Sequence, residues 1–199
     1  LGVNRRADVE IVGDIALVLE QMVASAKRHA WRELPWVEHL RHARRSHQER
    51  LRQMPRRTES GEVHPLTVCD EISPFQDEDA VVVLDGGDFV HWARNSLKAR
   101  KPGRWLRLGP MSTLGCSIPF AIAAKLAHPE ARVVTIIGDG GFGFYGMEFD
   151  TAVRHKIPFV AVVGNDAAWG IERSFQRALY GEERLIGSTL RRSRYDRIV

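Results

Sequence analysis

The residues of this chain that could do chemistry gather in three short runs: Asp85-Gly86-Gly87-Asp88, Gly138-Asp139-Gly140-Gly141 and Asn165-Asp166. The middle run follows the apolar stretch Val133–Ile137. Glycine-rich turns after a strand bring backbone N–H groups close to a phosphate. Asp139 argues against a bare anion site, because a carboxylate beside a phosphate is repelled by several kcal/mol, about 4 kcal/mol at 4 Å near a protein surface. A divalent cation reconciles the two. Mg²⁺ is held by one or two carboxylates plus phosphate oxygens, and the neighbouring strand end is placed to supply a second ligand. Asp166 stands 27 residues after Asp139, the length of one strand–turn–helix–strand unit. A second reading uses the same residues. Gly138-Asp139-Gly140-Gly141-Phe142-Gly143 satisfies G-x-G-x-x-G, and Asp166 ends the next strand, where it could hold the ribose of a dinucleotide. Metal dependence separates the two, since dinucleotide binding at a bare helix start needs no Mg²⁺.

Such turns need strands to carry them. Ala80–Leu84, Val133–Ile137 and Phe159–Val163 are short apolar runs that read as buried strands. Between and before them lie helical patterns: Pro65–Ile72, a helix through Trp92 and Leu97, the small-residue helix Gly115–Leu126, and Tyr145–His155. Fully apolar strands alternating with helices predict an α/β fold, a doubly wound parallel sheet with helices on both faces. Ligands of such sheets bind at the carboxyl ends of the strands, where the three runs fall. Upstream, Ala7–Val12 has a strand pattern, and Asp14 caps a helix whose apolar positions are Ile15, Val18, Leu19 and Met22. One strand and one helix cannot bury a core alone. Residues 1–25 therefore read as the tail of another α/β domain, 26–62 as a basic helical linker, and 63–199 as the α/β domain with its C-terminal part missing.

Apolar residues at 44% and charged residues at 27% are the mixture of an ordinary globular protein. No stretch is long and apolar enough to span a membrane, and Leu1–Arg6 has no signal core. Cys69 and Cys116 are far apart and form no CxxC, which suits two reduced thiols in a cytoplasmic protein. The net charge is +4 but uneven: Arg41, Arg44, Arg45, Arg50, Arg52, Arg56 and Arg57 crowd one segment, with Glu49 the only acid among them. A basic run can bind nucleic acid. Without aromatic interleaving after Trp36 or a nucleic-acid motif, it reads as a solvated helix face; a basic-helix interaction would collapse with added salt. His91 and His155 have no placed partner and make no acid–base argument.

The strand-end aspartate, the glycines and the Asn-Asp pair together resemble the thiamine diphosphate motif, with Glu148 and Pro158 where that family has them. "TLGCSIPFAIAAKLAHPEARVV" resembles the segment before the motif in acetolactate synthase large subunits, and "DGGDFVHWAR" and "ALYGEERL" resemble actinobacterial acetolactate-synthase-like proteins. The resemblance covers about residues 64–199, and 1–25 as the end of the family's middle domain. It implies Mg²⁺ ligation by Asp139, Asp166 and the carbonyl of Ala168, with Asp166 standing where the family usually has asparagine. It implies that Gly138, Gly140 and Gly141 approach the diphosphate, and that Gly87, Asp88 and Phe89 form the first diphosphate loop. Leu114 matches the large apolar residue that wedges under the cofactor, and Ser117 stands where many relatives have glycine. Ile171 and Phe175 fall where acetolactate synthases contact the second substrate, Phe175 replacing a tryptophan of many of them. Trp169 beside the metal loop either lines the site or packs below it.

The implied chemistry is decarboxylation of a 2-keto acid and attack of the resulting enamine on a second carbonyl, as in branched-chain amino acid biosynthesis. A 2-hydroxyacyl-CoA lyase or a benzaldehyde-lyase-like carboligase is the alternative. The family's activating glutamate comes from an N-terminal domain of the neighbouring subunit. The catalytic acid is therefore outside this sequence, the chain alone is expected to be inactive, and Glu148 is structural. The full-length protein is expected to be a homo-dimer or homo-tetramer acting on a small-molecule 2-keto acid or acyl-CoA. FAD, if it has one, would sit mostly in other domains. Neither nucleic acid nor membrane is an expected partner.

Overall fold

A computed structural model describes residues 4–198. They divide into two compact units, residues 1–54 and 55–199.

The first unit contains helices α1 (Ile15–Lys27) and α2 (Pro35–Arg52). Asp14 caps α1 as its residue type predicts, its Oδ1 accepting from the Leu17 N–H at 3.1 Å. Neither helix has a buried residue. The expected strand at Ala7–Val12 does not form; these residues are irregular. The physical reason is pairing, because a strand is stable only beside another strand and none is described next to it. The arginine-rich segment is helical and exposed. Arg45 pairs with Glu38 at 2.9 Å, Arg41 with Glu33 and Glu38, and Arg52 with Glu49. Part of the basic charge is therefore neutralised within the helix and its approach.

The second unit runs α3 (Pro65–Ile72), β1 (Val81–Leu84), α4 (Asp88–Ser96), β2 (Trp105–Arg107), α5 (Ser117–Ala127), β3 (Val133–Gly138), α6 (Asp139–Tyr145), α7 (Glu148–Arg154), β4 (Val160–Gly164) and α8 (Gly170–Tyr180). All pairings are parallel, in the order β2-β1-β3-β4. Side-chain alternation splits the strands between two faces. Val82, Leu84 and Ile136 pack with Cys69 of α3 and with Phe89, Val90 and Ala93 of α4. Val81, Val83 and Val133 pack with Ala121 and Ala124 of α5 on the other face, and Ile137 with Ile118 and Phe142. Strands buried on both faces explain why their sequences are continuous apolar runs rather than alternating ones.

Two elements differ from the sequence reading. The helix expected over Tyr145–His155 is two helices, α6 and α7. The glycine run is itself helical, and the chain breaks at Gly146, where the Phe142 ring fills the space a side chain would need; a Cβ there would lie 2.5 Å from the ring. β2 is a further, unforeseen strand. At three residues it is too short and too polar in its flanks to announce itself, and it exists because the edge of β1 offers it a ladder.

The strand order reverses between β1 and β3: the chain proceeds from β1 outward to β2, then crosses back to β3 and on to β4. Such a switch point opens a crevice at the carboxyl ends of the strands. Here those ends are Asp85 to Asp88 and Gly138 to Gly141.

Candidate functional site

A cavity of about 720 Å³ lies at these strand ends. Its lining brings together Gly87, Asp88, Phe89, Leu114, Gly138, Asp139, Gly140, Gly141, Asp166, Ala168 and Ile171. Trp169 lines it as well, and Phe175 does not; Phe175 lies exposed on α8.

The floor is built by β3 and β4, whose pairing of Gly138 with Gly164 sets the two following residues, Asp139 and Asn165, at one level. Asn165 also lines the cavity, but its side chain ties its loop to the segment around Ser193. Its Nδ2 donates to the Ser193 carbonyl at 2.8 Å, and its Oδ1 accepts from the Ala167 N–H at 3.3 Å. Asp166 is the member of the pair that faces Asp139. It folds over the start of α8, where its Oδ2 lies 2.7 Å from the place a Gly170 Cβ would take, so a side chain at position 170 would push the Asp166 carboxylate aside.

Asp139 is 2% exposed. Its Oδ1 accepts from the Gly140 N–H at 3.0 Å, and its Oδ2 has no hydrogen-bond partner. Burial first, and then the Asp166 carboxylate, push the Asp139 carboxyl up to about 6; the N–H groups of Gly140 and Ala168 partly oppose this. Two neighbouring carboxylates on a cavity wall, the exposed Asp166 and the buried Asp139 with its unsatisfied oxygen, are an arrangement that a cation would relieve. Among the described residues no cluster of three or more His, Cys, Asp or Glu side chains gathers. The donor set is two carboxylates beside backbone, which suits a hard, oxygen-seeking ion that draws its remaining ligands from a phosphate and water.

The roof and walls come from loops held by one residue that the sequence reading placed in a strand-end run without giving it a role of its own. Asp85, 1% exposed, ends β1. Its Oδ1 accepts from the N–H groups of Gly86 and Gly115, each at 2.9 Å, and its Oδ2 from the Ser117 N–H at 3.0 Å. It thereby caps α5 across 32 residues and hangs the Leu114–Ser117 turn over the cavity. Gly115 has φ +80, and a Cβ there would meet Phe144 and Tyr145 at 2.7 Å. Gly86 leaves room for the Leu108 and Leu114 side chains. Leu114 is thus locked at the cavity wall from two sides.

Phe89 does two things. It lines the cavity and also fills the core, its ring lying 2.5 Å from where a Gly164 Cβ would sit. Gly87, at φ +92, turns the chain into α4, and Asp88 accepts from the Trp92 indole N–H at 3.2 Å. Trp169 lies over the first turn of α6, 2.6 Å from where a Gly140 Cβ would be, and meets the Phe144 ring edge-on at 5.9 Å. Burial pushes the Cys69 thiol up to about 12 and raises that of Cys116, so neither offers a ready thiolate.

The family model "Thiamine pyrophosphate enzyme, C-terminal TPP binding domain" matches residues 85–194. The chain belongs to that family. This thiamine pyrophosphate-binding domain is 43% identical over 137 residues to the acetolactate synthase large subunit of Mycobacterium tuberculosis, covering 69% of this chain and 25% of that protein. It is 38% identical over 159 residues to human 2-hydroxyacyl-CoA lyase 2, covering 80% of this chain and 25% of that protein. It is 34% identical over 194 residues to 2-hydroxyacyl-CoA lyase 2 of Caenorhabditis elegans, covering 96% of this chain and 30% of that protein. The chain thus spans about a quarter of the length of the first relatives it matches. The thiamine pyrophosphate reading displaces the dinucleotide reading of the same glycines. Among the described residues no helix is long and apolar enough to cross a membrane.

Proposed function

We propose that the cavity holds thiamine diphosphate with Mg²⁺, which Asp139 and Asp166 would ligate, as part of an enzyme that makes carbon–carbon bonds next to a carbonyl. The observation that carries this reading is the buried, unpartnered Oδ2 of Asp139 facing the Asp166 carboxylate at the cavity floor. The residues present fit the ion and its diphosphate. Asp139 and Asp166 supply the charge, and the Ala168 carbonyl supplies a neutral third ligand. Gly140 and Gly141 would let the backbone of the first turn of α6 come close to phosphate oxygens. Gly87 and Asp88 close the opposite side, with Phe89 behind them.

When bound, the cofactor supplies an electron sink that stabilises a carbanion at a former carbonyl carbon. This chain's own residues bind and orient. Leu114 is the apolar support against which the cofactor rests, held in place through Asp85. Trp169 and Phe144 cover the turn, and Ile171 borders the space left for substrate. Phe175 lies outside the cavity lining, and we assign it no contact within this domain. The proton-handling glutamate of the reaction belongs to another part of the full-length protein, so residues 1–199 alone are expected to bind cofactor without turnover. We place the protein in the cytoplasm, acting on a 2-keto acid as an acetolactate synthase-like enzyme. The second reading, a 2-hydroxyacyl-CoA lyase, is favoured by the larger share of this chain that such lyases match.

The test is a calorimetric titration of thiamine diphosphate into the full-length protein, with Mg²⁺ and then with EDTA. Binding that requires the metal is the expected result, followed by a screen of 2-keto acids and 2-hydroxyacyl-CoA thioesters for turnover. Equal binding with and without metal would overturn the metal assignment, and no binding at all would overturn the cofactor.

A further inference from the structure

Most of the charged side chains lining the cavity are acidic: Glu62, Asp88, Asp139, Asp166 and Glu172. Asp139 and Asp166 lie at the ends of β3 and β4. At the other edge of the sheet, Arg107 ends β2 and also lines the cavity. The second arginine of the lining, Arg192, is paired with Glu62 at 2.6 Å. Among the described residues no carboxylate lies within ion-pair distance of Arg107. A guanidinium cannot shed its charge near neutral pH, so Arg107, itself exposed, keeps a permanent cation at the edge of the cavity with no ion-pair partner among the described residues.

Its position says which anion it serves. β2 is separated from β3 by β1, two inter-strand spacings or about 10 Å, and Asp166 lies a further strand away. A diphosphate held by the metal pair and by the Gly87–Phe89 turn would reach across β3 to the end of β1, and Arg107 stands one strand further out. We infer that Arg107 is a specificity-determining residue that docks an anionic group of the substrate, a carboxylate or a phosphate, at the β2 side of the cavity. This rests on the cofactor reading above. The planar fork of a guanidinium matches both oxyanions bidentately. The two sources differ in where the anion sits: a 2-keto acid carries a carboxylate next to its reacting carbon, whereas a coenzyme A thioester carries phosphates far from it.

The experiment titrates two probes, pyruvate and free coenzyme A, into the full-length protein loaded with thiamine diphosphate and Mg²⁺, comparing the parent with Arg107→Gln and Arg107→Lys. The expected result is a loss of affinity of about ten- to a hundredfold for one probe in Arg107→Gln, partly recovered in Arg107→Lys, with cofactor affinity unchanged. A loss confined to pyruvate assigns the carboxylate; a loss confined to coenzyme A assigns the phosphates. Equal probe affinities in parent and Arg107→Gln, including no measurable affinity in either, overturn the inference while leaving the cofactor reading intact. A parallel fall in thiamine diphosphate affinity also overturns it, by assigning Arg107 to the cofactor. Failure of the parent to bind thiamine diphosphate defeats the cofactor reading and this inference together.

Discussion

Replacing Asp85 with alanine should damage this domain more than removing any other carboxylate of the first glycine turn. Its two oxygens accept three backbone N–H groups, from Gly86, Gly115 and Ser117 at 2.9, 2.9 and 3.0 Å, in a position that is 1% exposed. Each buried donor left without a partner costs about 1–3 kcal/mol. Water entering from the adjacent cavity can re-pair part of this, so the net loss should be about 4 kcal/mol. Where residues 55–199 unfold as one cooperative unit, that lowers its melting temperature by about 10 °C. Asp85→Asn should cost less, because one oxygen survives, yet its amide opposes at least one N–H donor to donor. Asp88→Ala is the control. That carboxylate accepts from the Trp92 indole alone at 3.2 Å, and its loss should cost about 1 kcal/mol or less. The assay is thermal unfolding of the full-length protein without cofactor, followed by circular dichroism. The same Asp85→Ala protein should also lose thiamine diphosphate affinity, since Leu114 hangs on the turn that Asp85 holds. If Asp85→Ala melted within about 2 °C of the parent, the claim that this carboxylate organises the cavity wall would be wrong.

Other expectations follow from the floor of the site. Asp139→Ala should abolish metal-dependent thiamine diphosphate binding by calorimetry, whereas Asp166→Asn should retain it by keeping an oxygen ligand; unchanged binding in Asp139→Ala would refute the metal anchor. The Asp139 carboxyl is raised from 3.8 to about 6 by burial and by Asp166, so its ionisation penalises the metal-free fold. The penalty is absent below about pH 3.8 and fully present above about pH 6. In EDTA, the parent should therefore lose up to about 3 kcal/mol relative to Asp139→Asn as the pH rises through that window. Denaturant unfolding of both proteins at acid and at alkaline pH measures this, and a difference that does not change with pH contradicts it. Gly140→Ala puts a methyl 2.6 Å from the Trp169 ring; it should shift the Trp169 fluorescence and weaken cofactor binding, and an unperturbed spectrum would show that the turn and the ring are not in contact.

The parallel sheet was legible because strands buried on both faces must be apolar throughout, and Val81–Leu84 and Val133–Ile137 can be little else. Helix starts were legible where the cap is local: Asp14 caps α1 three residues on, and Pro65 opens α3. Two features were not legible. The α6–α7 break depends on the Phe142 ring occupying the space above Gly146, a contact that no periodicity encodes. The absent strand at Ala7–Val12 has a good strand composition but no neighbour to pair with.

Local chemistry therefore supplied the candidates for the site. A carboxylate in a glycine turn, with a second acid one unit later, is written in the chain and is the basis of the proposed cation and phosphate. Tertiary structure alone decided which groups act together. It turned Asp166 toward Asp139 and tied Asn165 to Ser193, drew Asp85 onto N–H groups 30 and 32 residues away, placed Ile171 on the cavity and left Phe175 off it, and set Arg107 at the far edge of the sheet with no ion-pair partner among the described residues. The physical reason is range: caps and burial patterns act over a few residues, whereas hydrogen bonds and charges at a switch point join strand ends that only the completed sheet brings together.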